Sequence, residues 1–287
     1  MTGPRAVVLV GDPVAGSVSP PMQQAAFDAL GLDLRYQALR VPPEALAEAF
    51  AGLRRRAAGL NVTRPLKELV IPLLDSMAED AARAGSVNTV VFREAGGDDV
   101  PVTAEGHSTD GAGFVAALER RARRLPGSAV VLGTGGAARA VAAALAERGA
   151  SVAVFGRNAE RGLRLAGDLG ASFVPPDGVF DAVARADLVV NATPLGSGPT
   201  ANAESPLPPD AALRRGMVVF DLVYRPRETA LLRQARAAGC RTIEGIEMLI
   251  EQGARSVELW TGLAAPVHVM RTAAYQALAA APLARVG

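Results

Sequence analysis

Ala129-Val130-Val131-Leu132-Gly133-Thr134-Gly135-Gly136-Ala137-Ala138-Arg139 is the stretch whose reading decides the fold. Four apolar residues read as a buried strand, the glycines as a tight turn, and the alanine-rich run to Arg148 as a helix. Strand, glycine turn and helix in that order are the context that a G-x-G-x-x-A dinucleotide fingerprint requires. The glycines allow close backbone approach, and the helix N-terminus holds a pyrophosphate. The next strand, Ser151 to Phe155, ends in Gly156-Arg157-Asn158, with Arg161 a turn later. An NAD site usually carries an acid there for the ribose hydroxyls. With no acid present, Arg157 reads either as a surface arginine or as a fork for the 2′-phosphate of NADP, and the missing acid favours NADP.

Downstream, Asp187 to Asn191 and Met217 to Asp221 read as strands, Thr229 to Ala238 as a helix, and Gly245 towards Trp260 as a long helix, with Val267 to Ala280 as another. Upstream, Arg5 to Val10, Leu34 to Leu39 and Gly59 to Thr63 read as strands. A helix from Ser19 (as N-cap) to Gly31, with Met22, Ala26, Ala29 and Leu30 on its apolar face, and a helix from Pro43 to about Arg56 alternate with them. The pattern predicts a parallel α/β sheet. Val87 to Phe92 reads as a further strand, turning back through a hairpin at Glu94 to Asp99. Ser108 or Thr109 is the expected cap of a helix from Phe114 to Arg121.

The balance of charges, +1 net over 287 residues, provides no field for nucleic acid or an anionic membrane. The arginine clusters Arg54 to Arg56 and Arg120 to Arg124 fall at expected helix ends. One cysteine, Cys240, excludes an intramolecular disulfide, and two histidines, His107 and His268, argue against a histidine metal site. The apolar run from Ala6 to Val10 stops at Gly11-Asp12-Pro13, too short for a signal peptide or a membrane span, so a cytoplasmic location is expected.

Lys67 is the only lysine; the other 29 of the 30 basic residues are arginine. It is either a survivor on a solvated face or a site that needs an amine able to release its proton, which arginine cannot do. Small polar residues recur at successive strand ends around it: Ser17 and Ser19, then Asn61 and Thr63, then Ser86, Asn88 and Thr89. Each alone reads as a cap or turn residue; together they suit a small polyhydroxylated acid bound beyond the strand ends. Asp110 serves either the dipole of its helix or as a carboxylate orienting Lys67.

Taken in order, Ser17-x-Ser19-Pro20, Asn61-Val62-Thr63-x-Pro65-x-Lys67, Val87-Asn88-Thr89, Thr109-Asp110-Gly111, the glycine turn through Arg139, Asn191-Ala192-Thr193-Pro194, Asp221-Leu222-Val223-Tyr224-x-Pro226 and Met248-Leu249-x-x-Gln252 resemble the shikimate dehydrogenase family nearly end to end. The resemblance implies an α/β protein of two domains with a cleft between them. Residues 1–108, completed by the helices of 250–287, would form the substrate domain, and 109–249 a Rossmann-type NADP-binding domain. It implies Lys67 and Asp110 as the catalytic pair. Ser17, Ser19, Asn61, Thr63, Asn88, Tyr224 and Gln252 would then hold substrate. Gly133, Gly135, Gly136, Ala137, Arg139 and Arg157 would hold NADP, with Thr193, Val223 and Gly245 near the nicotinamide. The implied activity is reversible reduction of 3-dehydroshikimate by NADPH, in a monomer or homodimer without nucleic-acid or membrane partners. A quinate/shikimate or aminoshikimate dehydrogenase using NAD is the nearest alternative, and a non-catalytic NADP-binding sensor is another; a folate-type dehydrogenase lacks the Ser-x-Ser loop. The chain departs from the family pattern at Leu66, Ser108 and Glu247, which bears on substrate fit, and at Gly156 and Asn158, which bears on the choice between NADP and NAD.

Overall fold

The computed structural model describes residues 5–93, 102–122, 125–197 and 204–280. They fall into two compact units, one within Met1–Asp110 and Ile250–Ala281, the other within Gly111–Leu249. The first unit runs β1 (Arg5–Gly11), α1 (Ser19–Ala29), β2 (Leu34–Arg40), α2 (Leu46–Arg54), β3 (Ala57–Val62), β4 (Ser76–Met77), α3 (Glu79–Ala84), β5 (Thr89–Arg93) and β6 (Thr103–His107). These strands form one sheet in the order β2-β1-β3-β5-β6-β4. β1 pairs in parallel with β2 and β3, but β5 is antiparallel to both β3 and β6, so the sheet is mixed rather than parallel throughout. The chain between Arg93 and Thr103 is too short for the crossover that a parallel pair requires. The hairpin expected at 94–99 lies outside the described residues.

Beyond α4 (Asp110–Arg121), the second unit runs β7 (Ser128–Leu132), α5 (Gly136–Ala146), β8 (Ser151–Phe155), α6 (Ala159–Leu169), β9 (Ser172–Val174), α7 (Val179–Arg185), β10 (Leu188–Asn191), β11 (Val218–Asp221), α8 (Ala230–Ala237) and β12 (Arg241–Glu244). Its sheet has the order β12-β11-β10-β7-β8-β9, and every pair is parallel. This is the doubly wound order in which the winding reverses between the first strand and the fourth, here β7 and β10. Both are apolar runs buried on both faces, as a covered parallel sheet demands. Phe114 stacks on Phe220 beneath that sheet, ring centres 4.9 Å apart. The last helices are α9 (Gly245–Thr261) and α10 (Val267–Ala280), the latter packed against α1 in the first unit.

Several local expectations change. Ser19 is the first residue of α1, not its N-cap, because a serine cap needs an N–H two or three residues on. Pro21 has none, and the Met22 N–H is taken by the Val18 carbonyl. The buried face of α1 is Met22, Gln23, Ala26 and Phe27, while Ala29 is exposed, because Phe27 turns inward against Tyr36 and Trp260. The second helix starts as a 3-10 turn, Pro43–Ala45, before α2. β5 starts at Thr89, since the Val87 N–H is held by the Lys67 carbonyl outside the ladder. The Ser108 hydroxyl has no partner and so does not cap α4, and the Thr109 hydroxyl is engaged elsewhere. Among the described residues no helix is long and apolar enough to cross a membrane.

Candidate active site

The exit of β3 and the start of α4 bring Lys67 and Asp110 together in the first unit. The lysine ammonium is ion-paired to Asp110 Oδ2, with the two side chains only 18% and 6% exposed. The other carboxylate oxygen, Oδ1, accepts from Asn88 Nδ2 at 2.8 Å. Asn88 also bonds Thr109 through both ends of its amide, Oδ1 accepting the Thr109 N–H at 2.9 Å, and Nδ2 reaches Gln252 Oε1 at 3.1 Å. The carboxylate is therefore held from one side by an amide that is itself held by its neighbours, leaving Oδ2 for the amine.

Behind this pair lies a layer that the sequence alone does not reveal. Asn61 Nδ2 donates to the Asn88 carbonyl, Thr89 Oγ1 and Ser256 Oγ, while Asn61 Oδ1 accepts from the Tyr36 hydroxyl at 2.6 Å. Ser256, one turn beyond Gln252 on α9, also meets Thr89 Oγ1 at 2.8 Å. Tyr36 and Ser256 are thus members of this hydrogen-bonded layer that the linear reading missed; the periodicity of α9, which sets Ser256 on the face of Gln252, was the one signal for either of them. Ser17 and Ser19 lie at the mouth of β1, the Ser19 N–H donating to Ser17 Oγ at 3.2 Å. Thr63, half-buried, bonds β1 through its backbone N–H. The hydroxyls of Ser86 and Ser108, two residues before Asn88 and Asp110 in the chain, are buried without partners.

In the second unit, the glycine turn lies between the C-terminal ends of β7 and β10. Gly133 has φ +121°, and a Cβ there would lie 3.1 Å from the Ala192 backbone, so only glycine fits this turn. Gly135 has open space around it and caps α5 without a side-chain bond, which leaves the first N–H groups of the helix uncovered. Gly136 and Ala137 form the first turn of α5 and are half-buried. Arg157 is exposed at the exit of β8, and Asn158 caps α6 through Oδ1 to the Arg161 N–H. Arg139 is differently placed: its Nη1 donates to Asp168 on α6 at 2.8 Å. A glycine turn with uncovered amides beside an exposed arginine at the next strand's end fits a dinucleotide with a 2′-phosphate.

Thr193 is tied through its N–H and hydroxyl to Asn191 Oδ1, and the Val223 N–H donates to Asp221 Oδ1. A Cβ on Gly245 would meet the Leu222 carbonyl oxygen at 2.4 Å, so this glycine admits the turn after β11. Tyr224 is half-buried in that same turn.

Three family models match in sequence order. "Shikimate dehydrogenase substrate binding domain" covers residues 9–90, "Shikimate / quinate 5-dehydrogenase" 119–235, and "Shikimate 5'-dehydrogenase C-terminal domain" 245–275. A shikimate dehydrogenase (NADP(+)) of Moorella thermoacetica is 46% identical over 96% of this chain and 94% of its own length. That of Methanosarcina acetivorans is 42% identical over 96% and 99%. The crystal structure of shikimate 5-dehydrogenase from Thermus thermophilus in complex with NADP(H) and shikimate superposes with a TM-score of 0.87 at 40% identity, covering 95% of this chain and 99% of that one. With matches of this identity running the length of both partners, the chain belongs to the shikimate dehydrogenase family.

Proposed function

We propose that this chain is an NADP-dependent shikimate dehydrogenase that reduces the ring ketone of 3-dehydroshikimate to the alcohol of shikimate, and the reverse. The observation that carries the reading is the Lys67–Asp110 pair, buried among Asn88, Thr109 and Gln252 in a chain of this family. Bound NADPH supplies the hydride that reaches the carbonyl carbon. Gly133, Gly135, Gly136 and Ala137 would hold its pyrophosphate at the start of α5, and Arg157 its 2′-phosphate. Thr193, Val223 and Gly245 border the nicotinamide in this assignment.

The chain's own chemistry is the proton. Lys67 gives an N–H proton to the carbonyl oxygen as the C–O double bond becomes single, and takes it back in oxidation. Asp110 Oδ2 holds the ammonium in place and accepts from the neighbouring substrate hydroxyl, while Asn88 keeps Oδ1 occupied and the carboxylate fixed. Ser17, Ser19, Thr63, Tyr224 and Gln252 are assigned to the substrate carboxylate and hydroxyls. Asn61, with both ends of its amide already bonded within the protein, positions Asn88 as well as bordering the substrate. We place the reaction in the cytoplasm, with small molecules as the partners.

General acid–base help of this kind is worth about 10²–10⁴-fold. Lys67→Ala is expected to lower kcat by about that factor with shikimate affinity nearly kept. Lys67→Arg keeps the charge, cannot release its proton and is expected to fail similarly. Near-normal turnover in either variant rejects the assignment. Rates with shikimate and with quinate, each with NADP and NAD, separate this activity from the quinate-oxidising one.

A further inference from the structure

At the carboxyl ends of β10 and β11, the second unit buries a carboxylate to which the reaction above gives no role. Asp221 is fully buried. Its Oδ1 accepts from Asn191 Nδ2 at 2.8 Å and from the Val223 N–H at 3.0 Å, and its Oδ2 accepts from the Thr229 hydroxyl at 2.6 Å. Asn191 stands where the chain leaves β10, and Val223 and Thr229 stand at the two ends of the loop between β11 and α8. Asn191 carries the other loop end, since its Oδ1 accepts both the N–H and the hydroxyl of Thr193. Thr229 in turn accepts the Leu232 N–H as the cap of α8. One carboxylate thus joins the turn after β10, the turn after β11 and the start of α8.

We infer that Asp221 is a positioning residue for the nicotinamide end of the cofactor site, holding the Thr193 and Val223 turns in register through its three accepted hydrogen bonds. The inference rests on the NADP reading above and adds a residue that touches neither substrate nor cofactor. The three bonds need an acceptor at both oxygens. A protonated Asp221 turns one oxygen into a donor facing Thr229, whose hydroxyl then has to rotate and accept. Desolvation pushes the Asp221 carboxyl up to about 6, so this change falls inside the accessible pH range.

Ionised groups stand nearby but bond each other rather than Asp221. Glu244, beside it in register on β12, binds Arg227 at 2.6 Å and Arg236 at 3.6 Å, and Arg236 also binds Glu228. Arg225, in the turn after β11, shares no bond with the carboxylate. Among the described residues, the groups bonded to Asp221 are all uncharged, so its own proton governs the arrangement.

The test compares two ligands on the whole protein without substrate. NADPH binding is followed by its fluorescence, and 2′-phospho-ADP-ribose, which keeps the 2′-phosphate and the pyrophosphate but has no nicotinamide, is measured by displacement. Their affinity ratio cancels the titration of the phosphate they share. In the wild-type protein the ratio is expected to fall as pH drops from 8 to 5, with its midpoint near 6, by about three- to tenfold. Asp221→Asn should show the low ratio at every pH, with 2′-phospho-ADP-ribose affinity unchanged. A residue with a merely structural role would lower thermal stability and leave the ratio alone. A wild-type ratio flat with pH overturns the inference, as does a wild-type ratio in Asp221→Asn at pH 7.5. If that variant does not fold, the wild-type pH series decides alone. Failure of both ligands to bind instead overturns the NADP reading, and this inference with it.

Discussion

Tyr36 donates its hydroxyl to Asn61 Oδ1 from inside the first unit's core, where burial pushes its own ionisation far upward. Tyr36→Phe keeps the ring among Phe27 and Trp260 but leaves that amide oxygen without its donor. A loss of about 1–3 kcal/mol in urea unfolding is expected, with a raised KM for shikimate and little change in kcat. Unchanged KM would show that Asn61 is held by Ser256, Thr89 and Asn88 alone. Asp221 carries a second residue-scale consequence, on stability. Its folded pKa lies above its ordinary value of 3.8, so the folded chain binds its proton more tightly than the unfolded one. From this group, stability is greatest below about pH 4, falls as pH rises to about 6, and is level beyond. Asp221→Asn should remove that slope from a pH series of denaturant midpoints. Lys67 and Asp110 were legible in the sequence because one is the only lysine and the other opens a helix. Tyr36, Ser256 and Asp221 were not, because their roles arise from contacts. Asn61 and Ser256 meet across 195 residues, a distance over which residue type alone carries no pairing information.

At the scale of elements, α9 lies on the strands that carry the site. Trp260 Nε1 donates to the Val90 carbonyl of β5 at 3.0 Å, and Gly59 of β3 leaves room for its indole. A Cβ on Gly59 would lie 2.4 Å from Trp260 Nε1 and 2.7 Å from the Val90 oxygen, and that backbone cannot yield. Gly59→Ala is expected to break the Trp260 bond and lower stability by about 1–3 kcal/mol. Trp260 is the only tryptophan, so its emission reports the change directly; unaltered emission would reject it. The long apolar strands and α9 were legible because each spans several periods of its pattern. β4, α3, β9, α7 and β12 were not read from the sequence, since stretches of two to seven residues hold too little periodicity to stand out. The expected hairpin already made β5 antiparallel to the strand after it; its antiparallel pairing with β3 escaped because a strand's direction is not written in its side-chain alternation.

In the proposed assignment the two compact units divide the work between substrate and cofactor, and ligands should reveal the division. In hydrogen exchange, shikimate is expected to protect amides at the ends of β3 and β5 and in α9 beyond Ile250. NADPH should protect the starts of α5 and α6 and the turns after β10 and β11. At a hundredfold excess over Kd, each ligand adds about 2.7 kcal/mol to the unit it binds. Protection by shikimate confined to the second unit would reverse the assignment of the domains.

The first unit is assembled from two separate stretches of chain, with Gly111–Leu249 of the second unit between them. During synthesis, Lys67, Asn88 and Asp110 emerge from the ribosome well before Gln252, Ser256 and Trp260. At about 5–20 residues per second, the 139 residues from Gly111 to Leu249 take several seconds or more to make. Through that interval the nascent β3 and β5 lack the helix that covers them, and Asn61 lacks the hydroxyl of Ser256. The stretch Gly111–Leu249 is continuous, holds all the described strands of the second unit by Glu244 and can close first. Translation thus sets an order in which the dinucleotide fold is complete before the proposed proton-transfer site has its last wall.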